Sequence, residues 1–349
     1  MLIEERVKYL EEYLEKLCKN QVFPGACFGI VTPEESYYNY LGNAQITPDI
    51  EKVKEDTIYD LASLTKVVAT TTAIMILIEK GYFTLDTFVS DLLPRYQNRG
   101  VKVKHLLTHT SGHDADIDCK KMNKEELVNA IYDSKIDVNR FEREVLYSDI
   151  GYIVLGYIVE EITGSLEKFV QENVFEPLNM KETFYNPDEK YINRCATTEY
   201  CNMRERMIKG IVHDEKSYVL GGVAGHAGLF STVGDLSKFI KMYLNDGIYD
   251  GKQILNKQTI DVMAKCHTKG LDSERGLGWI VKGENNVLCD IASDKTIYHS
   301  GFTGTSIIID LEYKKGFVLL TNRVHPSREN NKLVNLRRNI ANIAFSSIK

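Results

Sequence analysis

The sequence predicts an α+β fold: an antiparallel sheet built from both ends of the chain, flanked by helices, with a mainly helical part inserted between the two ends. Three observations predict it. "PGACFGIVT" (24–32) and "ESYYNYLGNA" (35–44) read as two strands on either side of a tight turn at Pro33 and Glu34. From Gly276 onward, "GLGWIVKG", "TIYHSG", "GTSIIIDL" and "KGFVLLTN" have the same β-rich texture. Between these ends helical periodicity dominates. Strands at the two ends most simply close into one sheet. This divides the 1–349 unit into a sheet part at about 1–60 plus 270–349 and a helical part at about 61–269. A cleft between the two parts is the expected place for a site.

Each element has a local reason. In "MLIEERVKYLEEYLEKLCKN" the residues Val7, Leu10, Leu14 and Leu17 fall on one helical face. The segment is rich in carboxylates and has no apolar core of the kind a signal peptide needs, so a cytoplasmic location is expected. Further helices are expected over 63–80, around 124–134, over 149–164, near 166–173 and over 233–245. Ser231 or Thr232 caps the last, and Gly247 stops it. "KLVNLRRNIANIAFSSI" closes the chain as a helix. The longest apolar run, Ala73 to Ile78, is too short to span a bilayer.

Composition narrows the function. Hydrophobic residues make up 43% and charged residues 26% of 349, which is ordinary for a globular enzyme. A net charge of −6 leaves no basic surface for nucleic acid. "VKVKH" (101–105) and "YKK" (313–315) are too short to change that. Seven cysteines without a CxxC pair argue against a disulfide framework or a structural zinc site, and for free thiols in a reducing compartment. The chain has no coiled-coil heptads, so a monomer is the default.

Three short motifs carry chemistry. "DLASLTKVVATTTAIMILIEKGY" (60–82) begins with Ser63 and Lys66, three apart on one helical face. A lysine there loses hydration, which drives an ammonium pKa down and equips it to take a hydroxyl proton. The plain alternative for Ser63 is a helix N-cap. In "LYSDIGYIVLGYIVEEITG" (146–164), Tyr147 and Asp149 stand at a loop-to-helix junction, where a phenol near a lysine can act as a base; the alternative for Tyr147 is core filling. In "YHSGFTGTSIIID" (298–310), Gly301 lets a substrate approach the backbone closely, and the Phe302 amide can face an oxyanion together with the Ser63 amide. The alternative is a simple β-turn.

Taken in this order, a Ser-x-x-Lys helix start, a Tyr-x-Asp turn and a His-x-Gly strand resemble the active site of serine β-lactamases and penicillin-binding proteins. Tyr147-Ser148-Asp149 resembles the class C branch, with its esterases, D-amino peptidases and carboxypeptidases. "FPGACFGIV" (23–31), "HLLTHTSG" (105–112), "GGVAGHAGLFSTVGDLSKF" (221–239) and "VLLTNRVHP" (318–326) extend the resemblance over about 20–345. It implies a β-lactamase/transpeptidase-like fold with an inserted helical domain. It implies Ser63 as acylated nucleophile, Lys66 and Tyr147 sharing the proton work, His299 in the place of the usual lysine, and Phe302 donating to the oxyanion. Asp149 replaces the usual asparagine and suits an N–H or ammonium on the substrate. His299 weakens the fixed charge that would hold a carboxylate. Both departures count against efficient β-lactam hydrolysis.

The resemblance therefore implies a serine hydrolase of small or peptide-like esters or amides, without metal or organic cofactor. "HDEKSYVLGGVAGHAGLFS" (213–231) resembles members linked to peptidoglycan-fragment turnover, which favours a muropeptide or D-amino-acid amide. The alternatives are a β-lactamase or penicillin-binding carboxypeptidase and, in another class, a β-lactam sensor that is acylated without turnover. Other patterns are weaker. His105, His109 and His113 are spaced for zinc, but Thr110-Ser111-Gly112 ends the helix before the third. "DADIDCKKMNKE" (114–125) has the acidic spacing of a calcium loop, yet Cys119 stands where its glycine belongs. The glycines of 221–228 read as a tight loop, and His213 and His226 have no assigned place.

Overall fold

The computed structural model describes residues 1–286 and 288–349. Seven strands form the main antiparallel sheet: β1 (Gly25–Val31), β2 (Ser36–Gln45), β3 (Glu51–Lys52), β4 (Ile280–Val281), β5 (Thr296–Ser300), β6 (Ser306–Asp310) and β7 (Lys315–Thr321). Their order is β4-β5-β6-β7-β1-β2-β3. The two chain ends meet at β1 and β7, with Ala26 opposite Thr321 and Val31 opposite Gly316, so the expected sheet is present.

β1 is buried along its whole length because both faces of the sheet are covered. On one face, Phe28 and Ile30 pack with Leu10 and Leu14 of α1 (Glu4–Lys19) and with Ile340 and Phe345 of the closing helix, Arg337–Ser346. On the other, Cys27 and Val31 belong to a cluster that includes Phe239 and Ile240 of the helix Val233–Leu244. The alternation of even and odd residues between the two faces is the period of two expected of a strand. Thr232 caps the second of these helices by accepting from the Asp235 N–H.

Two elements differ from the sequence expectation. Of "GLGWIVKG" only Ile280–Val281 is strand. Leu277 and Gly278 donate instead to the carbonyls of Met263 and Leu107, so their backbone bonds tie the sheet part to the helical part. The helix expected over 63–80 is three pieces: a 3₁₀ turn at Ala62–Leu64, a wide π-type turn at Lys66–Thr71, and α2 (Thr72–Glu79). Such wide turns concentrate at functional sites. Taken as one stretch, 62–79 is long and apolar enough to cross a membrane, but 83% of it is buried inside the protein, as in a core helix.

Candidate active site

Ser63 lies in the 3₁₀ turn, just after Ala62, whose φ of +46° is unusual for a residue with a side chain. The Ala62 N–H donates to Asp60 Oδ1 (2.8 Å), while Asp60 Oδ2 accepts from the His213 N–H (2.6 Å). Two threonines fix the same turn to the sheet: Thr303 Oγ1 donates to Asp60 O (2.7 Å) and Thr305 Oγ1 to Leu61 O (3.0 Å). Gly301 makes this possible. A Cβ there would lie 2.2 Å from Thr305 Oγ1 and 2.3 Å from Leu61 O. The glycine is thus required by contact with the Ser63 turn itself, and it also lines the cleft. Phe302 follows in the turn that Gly304 N–H closes onto Gly301 O (3.1 Å). Its ring stacks on His213 (5.6 Å between centroids) under the guanidinium of Arg323 (4.7 Å).

Lys66 points back along this turn and is completely buried. Its Nζ donates to Ser63 Oγ (3.0 Å) and to the carbonyl of His226 (3.0 Å), and it forms an ion pair with Asp149 Oδ1 (2.8 Å). Burial by itself would lower the proton affinity of Lys66, as the sequence suggested. The Asp149 carboxylate, with Tyr147, outweighs it and holds the ammonium above its ordinary value. The expected downward shift is therefore corrected to an upward one. Asp149 is likewise pushed up by burial, but Lys66, His226 and Lys216 outweigh this and keep it below the usual carboxylate value. Its second oxygen meets Lys216 at 3.3 Å. With a lysine on each oxygen, the charge of Asp149 is compensated within the protein.

Tyr147 and Asp149 are held by the start of the helix Asp149–Thr163. Ser148 caps it by accepting from the Gly151 N–H (3.2 Å), and the Asp149 N–H donates to Ala115 O (2.9 Å). His109 completes the support: its Nδ1 accepts from the Ser148 N–H (3.0 Å), and its ring lies 4.6 Å from that of Tyr147. Burial keeps this imidazole well below its usual pKa. The sequence treated His109 only as part of a zinc-like spacing. A φ of +60° at His109 turns the chain there, which breaks the spacing and aims the ring at Tyr147. Lys66 Nζ stands 4.8 Å from the Tyr147 ring centroid.

The opposite wall is built differently. Ser63, Tyr147, His299, Gly301 and Phe302 line a cleft of about 400 Å³, together with Arg275, Arg323 and Arg337. His299 Nδ1 donates to Ser300 O (3.0 Å), so Nε2 is its lone-pair nitrogen, and it is buried without a partner among the described residues. Burial, then the charges of Lys66 and Arg275, keep His299 neutral, with a pKa well below the usual histidine value. Arg275 is buried, and its Nε and Nη1 have no partner among the described residues; nor does Nε of Arg337. The fixed charge that His299 lacks is thus supplied by arginines. Nothing local in the sequence marks them, because each reaches the cleft from a different segment.

The remaining candidates also find places. The glycine-rich loop 221–228 packs against the Ser63 and Asp149 helices: Gly225 O accepts from Thr70 Oγ1 (2.6 Å), and a Cβ on Gly225 would lie 2.0 Å from Tyr152 O. Asp149, Asp214 and His226 bring ligand atoms within 4.8 Å of one another, as a metal site would. Lys66 and Lys216 already lie on these carboxylates, so the set is charge-compensated by ammonium groups and does not fit a dication. Asp116, from the calcium-like spacing, pairs with Lys216 (2.7 Å). His105 pairs with Glu142 (2.8 Å) and His113 with Tyr96 (2.7 Å). All seven cysteines are free.

A hydroxyl bonded to an ammonium, a phenol beside them, a turn amide and a cationic cleft are the parts of an acyl-transfer site. The chain is 32% identical over 312 residues to the "Putative D-alanyl-D-alanine carboxypeptidase" of Escherichia coli K12, covering 78% of this chain and 71% of that protein. It is 30% identical over 345 residues to the N-acetylmuramyl-L-alanine amidase of Bacillus subtilis 168, covering 87% and 78%. A solved class C beta-lactamase superposes with a TM-score of 0.78 over 99% of this chain and 97% of its own, at 19% identity. The Beta-lactamase family pattern matches residues 7–341. The chain belongs to the beta-lactamase family, a family of hydrolases.

Proposed function

We propose that this protein is a serine hydrolase that cleaves an amide of a peptide-like substrate carrying a carboxylate, through an acyl-enzyme on Ser63. The observation that carries the reading is the contact of Ser63 Oγ with Lys66 Nζ at 3.0 Å, at the edge of a cleft whose other wall holds unpaired arginine N–H groups. In this reading Ser63 Oγ attacks the carbonyl carbon. Its proton passes to Tyr147, which reacts in this proposal as the phenolate and becomes the neutral phenol, while the Lys66 ammonium stabilises the developing negative charge on Oγ. The amides of Ser63 and Phe302 receive the oxyanion. The leaving amine takes the proton from Tyr147, and water, activated by Tyr147, releases the acyl group.

The carboxylate preference rests on Arg275, because a buried guanidinium without a partner is satisfied best by a ligand carboxylate, and secondarily on Arg337 in the same cleft, whose Nη2 donates to Gly301 O (3.3 Å) while its Nε has no partner among the described residues. It agrees with the carboxypeptidase and amidase names of the relatives, and favours peptidoglycan-type fragments with D-residues. The first test is intact-mass labelling with a fluorophosphonate, on the wild type and on Ser63→Ala. Label on the wild type alone supports the nucleophile; label persisting on Ser63→Ala sinks it. Next, an acyl-D-Ala-D-Ala peptide, a muramyl-L-alanine amide and benzylpenicillin are compared with carboxamide or neutral ester analogues. Faster turnover of the carboxylates is expected, and equal rates would remove the arginine wall from the reading. The lifetime of a penicillin adduct separates an enzyme from a sensor that is acylated once.

A further inference from the structure

Beyond the residues assigned above lies a buried ring of charge. Lys216, in the short helix Glu215–Val219, is only 5% exposed. Its Nζ meets Asp116 at 2.7 Å, Asp214 at 3.2 Å and Asp149 at 3.3 Å. Asp214 Oδ1 accepts from His226 Nε2 (2.8 Å) and from the Ser217 N–H (2.8 Å). The carbonyl of His226 accepts from Lys66 (3.0 Å), and Lys66 pairs with Asp149. The ring Lys66–Asp149–Lys216–Asp214–His226 therefore closes on itself.

We propose that Lys216 is a positioning residue for Ser63 acylation, acting through Asp149, which it shares with Lys66. The reason is electrostatic. One carboxylate between two ammonium groups holds each less tightly than it would hold one alone. Lys216 touches neither Ser63 nor the cleft wall that carries Arg275. It sets the potential in which Ser63 passes its proton to Tyr147 beside the Lys66 ammonium. It also fixes Asp149 from the side opposite Lys66, so that Lys66 stays aimed at Ser63 Oγ. The groups facing Lys66 are Ser63, Tyr147 and Asp149, with Tyr152, His109 and His299 close enough to feel its charge. Those facing Lys216 are Asp116, Asp149 and Asp214, with Cys119 nearby. Of the three carboxylates only Asp116 is largely exposed, at 65%, so its pull on Lys216 is weakened by solvent.

The sign follows. Removing the Lys216 charge makes the surroundings of Lys66 and Tyr147 more negative and raises their proton affinity. The rising limb of acylation against pH then moves to higher pH. Removing the Asp116 charge leaves Lys216 more fully on Asp149 and moves the limb to lower pH.

The inference rests on Ser63 being the nucleophile, so the experiment reads Ser63 labelling by a fluorophosphonate between pH 5 and 10. Wild type, Lys216→Met, Lys216→Arg and Asp116→Asn are compared. An alkaline shift of about one unit is expected for Lys216→Met, with labelling at pH 7 roughly tenfold slower. Lys216→Arg should restore the wild-type limb, and Asp116→Asn should shift it by a few tenths toward acid. A lower plateau with an unmoved limb in Lys216→Met would reduce Lys216 to a structural role and overturn the proposal. If Lys216→Met does not fold, Asp116→Asn decides: an unmoved or alkaline limb overturns it. A wild type that does not label at Ser63 overturns the parent reading instead.

Discussion

The two walls beside Ser63 are both rich in buried charge, and they differ in how that charge is met. On the Lys66 wall every ion of the ring has a counter-ion within 3.3 Å, so its charges are met within the protein, although Nδ1 of His226 is buried without a partner among the described residues. On the His299 wall, the imidazole Nε2 and the Nε and Nη1 of Arg275 have no partner among the described residues. A buried polar group without a partner costs stability. The first wall is thus organised before substrate arrives and suits proton work. The second is left incomplete and suits a ligand. The two walls should therefore respond oppositely to mutation, one losing stability and rate together, the other exchanging affinity for stability.

The largest effect is expected on the satisfied wall. Asp149→Ala leaves Lys66 and Lys216 buried beside each other without their shared anion. A loss of about 3–5 kcal/mol in urea unfolding is expected, together with a fall of roughly 10²–10⁴ in Ser63 labelling. Near-normal stability in this variant would mean that the ring does not hold the site together.

Arg275→Met should do the opposite. Affinity for a carboxylate substrate falls by about 1.5–3 kcal/mol, or roughly ten- to a hundredfold, read as a rise in KM. A neutral ester should be unaffected. Stability should hold or rise, because an unpaired buried cation has been replaced by an apolar chain of similar length. A drop in melting temperature with no change in KM would assign Arg275 to the scaffold and erase the contrast between the walls.

Gly301→Ala tests the joint between them. The new methyl meets Thr305 Oγ1 and Leu61 O at distances no contact tolerates, so the Ser63 turn or the Phe302 turn must move. About 1–3 kcal/mol of stability should be lost, and the ester rate should fall even where KM is unchanged. A fully active variant would show that the two turns are positioned independently.

Much of this could be read from the chain. The Ser63–Lys66 spacing, the helix after Ser148 and the strands at both ends are local patterns, and local patterns survive folding. Lys216, His226, Arg275 and Arg337 were not legible in the same way. Each is a single residue whose neighbours at the site are remote in sequence, such as Lys66 and His226, 160 positions apart. The direction of the Lys66 shift failed for the same reason. Its burial was visible in the apolar run that follows it, but the partner that reverses the effect of burial was assigned to the substrate. His109 shows the converse: its spacing suggested a metal, and one residue with φ of +60° removed the periodicity on which that spacing depends.

Acid should separate the walls with the smallest effect. His299 is kept neutral, with a folded pKa below that of an unfolded imidazole at about 6.5. The unfolded chain therefore binds the extra proton first, and the stability tied to a neutral His299 is present above about pH 6.5 and is lost as pH falls below it. Asp149 and Asp214 are also held below their ordinary values, by Lys66, His226 and Lys216 against the upward push of burial. Their contribution is lost only below the ordinary aspartate value of about 3.9. Acid thus reaches the ligand wall first and the proton wall last. Urea unfolding at pH 7 and pH 6 should show the wild type losing more stability than His299→Asn, by somewhat under about 1 kcal/mol. His109 stays in both proteins and cancels in the difference. Equal losses would mean that His299 takes up its proton in the folded state, and the wall facing the substrate would then carry one more positive charge at mildly acidic pH.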